Sequence, residues 1–125
     1  VQMMNAAIQQ VRPAVLALLK DPQMHVRIEA IRSFARGLQT INDCAPIVTM
    51  VGDTAPLVGM QAMDSLTTSC RDLPGIVAAV AAEADKLPGA SATTWHRPAR
   101  ALTTLARLAP DGARKRLGAA QSHAV

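Results

Sequence analysis

The sequence predicts an all-α domain, and three features carry the prediction. Aromatic residues are nearly absent: Phe34 and Trp95 stand alone and there is no Tyr. Half the chain is nonetheless hydrophobic, supplied by Ala, Leu, Val, Met and Ile. Small and unbranched apolar residues suit closely packed helices, whereas β cores draw more on aromatic and β-branched residues. Apolar positions recur at three- and four-residue intervals along most of the chain, the spacing of one helical face. A helix–turn–helix pattern then repeats, which orders the helices into pairs.

Ala6, Ile8, Val11, Val15, Leu16, Leu18 and Leu19 outline a first helix over 5–19, with Asn5 as its N-cap. Pro13 interrupts this pattern, so the helix starts near Val11 or kinks there. Asp21-Pro22 ends it, because proline disfavours the helical region for the residue before it. A second helix over 23–37 carries Val26, Ala30, Ile31, Phe34 and Leu38 on its apolar stripe. Thr40-Ile41-Asn42-Asp43 forms a capping turn before a third helix over 43–51, with Pro46 in its first turn. A fourth helix over 55–71 places Val58, Ala62, Met63, Leu66 and Cys70 on one side. Asp72-Leu73-Pro74-Gly75 is a turn. A nearly all-apolar fifth helix spans 75–87 and breaks at Pro88-Gly89. The sixth begins between Thr93 and Pro98 and runs to Leu108. A seventh over 111–121 sets Ala113, Leu117 and Ala120 against Arg114, Lys115 and Arg116.

The segment Val26-Arg27-Ile28-Glu29-Ala30-Ile31-Arg32-Ser33-Phe34 aligns with Val58-Gly59-Met60-Gln61-Ala62-Met63-Asp64-Ser65-Leu66, and Asp21 then falls on Asp53. Arg97-Pro98-Ala99-Arg100-Ala101-Leu102-Thr103-Thr104-Leu105 is a third copy. Each copy has an Ala, a larger apolar residue next to it and another three positions on. The Ala permits close approach of two helices and the larger residues fill the space beside it. A two-helix unit of this size cannot bury its apolar stripe alone, so the units must stack on a shared core. The expected architecture is an α-solenoid of about three antiparallel helix pairs plus one extra helix. Its repeats cover approximately 5–39, 41–71 and 74–109, with a partial repeat over 111–125. The unpaired last helix, the initial Val and the open end point to a segment of a longer chain.

The first copy resembles a HEAT repeat, a member of the ARM/HEAT-like α-solenoid class. Pro13, Asp21, Val26-Arg27 and Ala30-Ile31 carry the resemblance. It implies that Asp21 and Arg27 belong to a hydrogen-bonded ladder joining neighbouring repeats. The second copy keeps Asp53 and Val58 but has Gly59 at the Arg position. In the third, Asp85 is displaced by a longer turn and Arg97 occupies the Val position. The resemblance further implies a binding surface along the second helices. Their polar stripes contain His25, Glu29, Arg32 and Arg36; then Leu57, Gln61, Asp64 and Thr68; then His96, Arg100, Thr103 and Arg107. The expected function is a non-catalytic scaffold or protein-interaction module, whose partner is another protein or the rest of its own chain.

Charge leaves a second reading open. The net charge of +4 is distributed as +3 over residues 1–36, −4 over 37–96 and +5 over 97–125. Basic ends are compatible with nucleic acid, with Arg27, Arg32, Arg36, Arg97, Arg100 and Arg107 as contacts and Arg114-Lys115-Arg116 as a further basic run. Some HEAT-like proteins are DNA glycosylases, and Trp95 with the Arg-rich ends permits that comparison. The scarcity of aromatics for base contact argues against it. A HEAT-like accessory or lyase subunit acting on a bound cofactor is a third option.

No catalytic or metal constellation is visible. Ser33, Ser65, Ser69 and Ser91 lie in no nucleophile-elbow context, and Glu83 and Asp85 do not face each other on a helix. His25 and His96 occupy equivalent turn positions without further ligands nearby, so neither a metal nor a cofactor is expected. Cys44 and Cys70 read as small buried hydrophobes in a reducing compartment. No secretory leader or membrane span is recognisable. The expected location is cytoplasmic, or nuclear in a eukaryote.

Overall fold

A computed structural model describes residues 11–38, 44–70 and 75–121. All regular structure among them is helical. Helix α1 spans 11–18, α2 Met24–Ser33, α3 Ala45–Val48, α4 Pro56–Asp64, α5 Ile76–Ala84, α6 His96–Leu108 and α7 Pro110–Gln121. A π turn at Phe34–Leu38 continues α2, and separate 3₁₀ turns follow α4 at Thr68–Cys70 and α5 at Leu87–Gly89. None of the helices among the described residues is long and apolar enough to cross a membrane. The expected Asn5 cap and the turns at 40–43 and 72–74 lie outside the described residues.

Much of the apolar stripes predicted from spacing forms one continuous core, but Val11, Leu18 and Leu117 are exposed. Val15 and Leu19 follow α1 into it, with Ala30, Ile31 and Phe34 from the second helix. Val58, Ala62, Met63 and Leu66 come from α4 and its exit, Ile76 and Val80 from α5, and Ala101, Leu105 and Leu108 from α6. The Ala-plus-large pattern is buried in the first two copies, Ala30-Ile31 and Ala62-Met63; in the third Ala101 is buried and Leu102 partly so. Phe34 is fully enclosed, with the Arg12 guanidinium 5.2 Å from the centre of its ring. Helix α4 packs against both α2 and α6, so these three form a row; α5 packs on α6, and α7 on α6 and the 87–89 turn.

The turns into α2 and α4 use the same device. The Asp21 carboxylate accepts the Gln23 N–H at 2.8 Å, and the Asp53 carboxylate accepts the Ala55 N–H at 2.9 Å. An Asp bonding the backbone two residues on ties the end of one helix to the start of the next. Into α5 the chain turns instead on Gly75, whose φ of +88° suits a residue without a side chain.

Two expectations need correction. The fourth helix ends at Asp64 and does not run to 71. Ser65 Oγ donates back to the Gln61 carbonyl at 2.9 Å, and the Arg107 guanidinium takes the Met63 and Leu66 carbonyls at 3.2 and 3.0 Å. With those carbonyls bonded from outside, the helix ends without further turns. The second correction concerns the cysteines. Both are buried as expected, but they are joined in a disulfide with Cα atoms 5.8 Å apart. Cys44 immediately precedes α3 and Cys70 closes the turn after α4, so the bond brackets the whole second helix pair. The free thiols expected from the sequence are therefore replaced by a bonded pair.

Candidate functional site

The row α2–α4–α6 carries the side chains predicted to form a binding face. On α2, Arg32 donates to Glu29 Oε1 at 2.7 Å and, across to α4, to Gln61 Oε1 at 3.1 Å. On the other side of α4, the Arg100 guanidinium of α6 pairs with the Asp64 carboxylate. Glu29, Arg32, Gln61, Asp64 and Arg100 are thus brought together as one polar strip crossing three helices. These groups are about half exposed, and such pairs are worth roughly 0.2–1 kcal/mol each. They set the pattern of the surface more than its stability.

Other predicted site residues stand apart from this strip. Arg107 is turned inward onto the carbonyls ending α4. His96 stacks on Trp95 with ring centres 4.0 Å apart. His25 borders a small apolar hollow with Val15, Leu18, Val26 and Ala30. Arg36 is exposed in the π turn, with no hydrogen-bond partner among the described residues.

Asp21 and Arg27 meet through the backbone: the Arg27 Nη1 donates to the Asp21 and Pro22 carbonyls at 2.9 and 3.1 Å. The charge partner of Arg27 is Asp53, in the turn of the next helix pair. Nε and Nη2 donate to its two carboxylate oxygens at 3.0 and 2.9 Å. The side chains are only 13% and 12% exposed, so the two-point pairing offsets a substantial desolvation cost. A second arginine converges on the same turn. Arg97 Nη1 donates to the Asp53 carbonyl at 2.6 Å and to the Val51 carbonyl at 3.4 Å. It does so over Gly59, where an added Cβ would lie 3.2 Å from Nη1 and 2.5 Å from the Val51 carbonyl oxygen. Gly59 and Arg97, read from sequence as departures from the repeat, are therefore complementary.

Beside this junction lies an open cleft of about 740 Å³, between the 52–57 turn, the end of α5 and the 89–98 segment. Leu57, 52% exposed, and Met60 form its apolar side. Its wall contains Glu83, which is only 7% exposed. Lys86 donates to Glu83 Oε1 at 3.0 Å from an ammonium-bearing side chain that is itself 64% exposed. Sequence reasoning did not single out this pair. Its one signal was a lone charge in the apolar run Ile76–Ala84.

At the far end, Arg116 of α7 binds Asp85 through Nε and Nη2. That hydrogen bonding holds the Asp85 carboxyl below its ordinary range and raises the guanidinium of Arg116, in each case against a smaller opposing effect of burial. No group of three or more His, Cys, Asp or Glu able to hold a metal lies among the described residues. No family model, curated protein or solved structure matches the chain.

Proposed function

We propose that the chain is a HEAT-like α-solenoid segment that acts as a non-catalytic protein-interaction module, using the α2–α4–α6 face. The observation that supports this reading best is the pair of polar groups Glu29–Arg32–Gln61 and Asp64–Arg100, which together cross α2, α4 and α6. Alternating charges with exposed edges suit a partner protein bearing a complementary pattern. The Cys44–Cys70 bond favours action in an oxidising compartment over the cytoplasm or nucleus.

Nucleic acid is the weaker reading. Of the six arginines that would serve it, Arg27, Arg32, Arg97, Arg100 and Arg107 already donate to groups of the chain itself. Phosphate contact would have to compete with those bonds. The double variant Arg32→Glu/Arg100→Glu tests the proposal. Proteins retained by the immobilised wild-type chain from its source extract should be lost with the variant, while the circular dichroism of the two is alike. Equal retention by the variant would overturn the proposal. So would tight binding of a labelled DNA duplex that weakens steeply with salt.

A further inference from the structure

The cleft beside the α2–α4–α6 face contains a carboxylate whose burial its own neighbours do not explain. Glu83 is about nine-tenths buried, yet it sits in the wall of an open cleft and not in the core. A buried carboxylate needs hydrogen bonds to its oxygens, or a cation, to offset lost hydration. One oxygen has Lys86; the other accepts no hydrogen bond from any described residue. Lys86 is a poor permanent partner. Its side chain is 64% exposed and can return to water at little cost. Opposite, the exposed Leu57 and the partly buried Met60 offer an apolar wall. The other acid of the cleft, Asp53, is fully engaged by Arg27 and Ala55. The second cation, Arg97, is held to carbonyls by its Nη1.

We propose that the cleft receives an arginine side chain of a partner protein, with an apolar residue next to it in the partner's sequence. The planar guanidinium spans both oxygens of Glu83, which a single ammonium cannot do, and displaces Lys86. The neighbouring apolar side chain covers Leu57 and Met60. This deepens the reading of the chain as a protein-binding module by naming a residue of the partner. It uses a surface separate from the Arg32–Gln61 and Asp64–Arg100 strip.

The test uses the dipeptides acetyl-Leu-Arg-amide and acetyl-Leu-Gln-amide as probes, followed by amide chemical shifts of the isotope-labelled full chain. The arginine probe should give saturable shifts at Gly52, Glu83 and Lys86, and the glutamine probe should not. Glu83→Gln should weaken the arginine probe at least tenfold, whereas Lys86→Ala should tighten it by removing the competitor. Absence of saturable shifts in the wild type would overturn the proposal, as would equal affinity for both probes or Lys86→Ala binding no better than wild type. Because Lys86 is exposed, its variant reports even if Glu83→Gln perturbs the fold. The probes need no natural partner, so their failure would leave the α2–α4–α6 face to be judged by its own charge-reversal test.

Discussion

At the scale of single residues, Asp53 links three separate parts of the chain. Its carboxylate holds Arg27 of the first helix pair and the Ala55 N–H of its own turn, while its carbonyl holds Arg97 of the third pair. One turn therefore joins three pairs. Gly59 makes this possible, since any side chain there would meet both the Val51 carbonyl oxygen and Arg97. The backbone oxygen cannot move aside without disturbing the turn. Gly59→Ala should therefore cost about 1–3 kcal/mol despite the better helix propensity of Ala, as overpacking does elsewhere. Urea unfolding of wild type and variant measures this directly. A variant as stable as wild type would mean that the junction yields easily.

At the scale of elements, an arginine from a neighbouring helix closes the end of α4 and another docks α7. Arg107 of α6 ends α4, and Arg116 of α7 anchors that helix to the turn after α5. The second contact has a pH dependence of definite sign. The folded Asp85 carboxyl lies below its ordinary value of 3.8, so the pair stabilises the docked α7 above the unfolded pKa. That contribution is lost as pH falls through the folded value. Both side chains are substantially exposed, so the effect is screened and amounts to roughly 0.2–1 kcal/mol. A carboxyl-carbon titration by NMR should find the Asp85 midpoint depressed in the wild type and restored to the ordinary range in Arg116→Ala. Identical midpoints would show that the pair is not held in solution.

At the scale of the whole molecule, the Cys44–Cys70 bond closes a loop with a sequence separation of 26 around the second helix pair, the one that touches both of its neighbours. A loop of that length removes enough unfolded-state entropy to stabilise the fold by roughly 3–4 kcal/mol. The Cys44→Ala/Cys70→Ala chain should accordingly lose a large part of a stability that is commonly only 5–15 kcal/mol. Its thermal unfolding midpoint should drop by many degrees, and reductant should lower the wild type towards it. A wild type indifferent to reductant after full thiol release would contradict this role.

By itself the sequence determined the helical class, the order and approximate limits of most helices, and much of the buried face, though Val11, Leu18 and Leu117 of the expected stripes are exposed and the buried Glu83 and Thr104 were not foreseen. The Ala-plus-large pattern that recurs at 30–31 and 62–63 is local in origin: a three- to four-residue period needs no knowledge of distant residues to mark the inner face. Tertiary structure decided everything that depends on atoms far apart in the chain. The stop at Asp64 is only partly local: Ser65 Oγ returns to the Gln61 carbonyl, but the guanidinium that takes the Met63 and Leu66 carbonyls comes from Arg107, far along the chain. Two cysteines in apolar stretches look alike whether free or joined, since bonding depends on their separation in space. Arg27 is placed beside Asp21 by its own turn, but its charge partner is supplied by the next pair. Gly59 and Arg97 read separately as flaws of the repeat. Only their contact reveals that the missing side chain is the space the incoming one occupies.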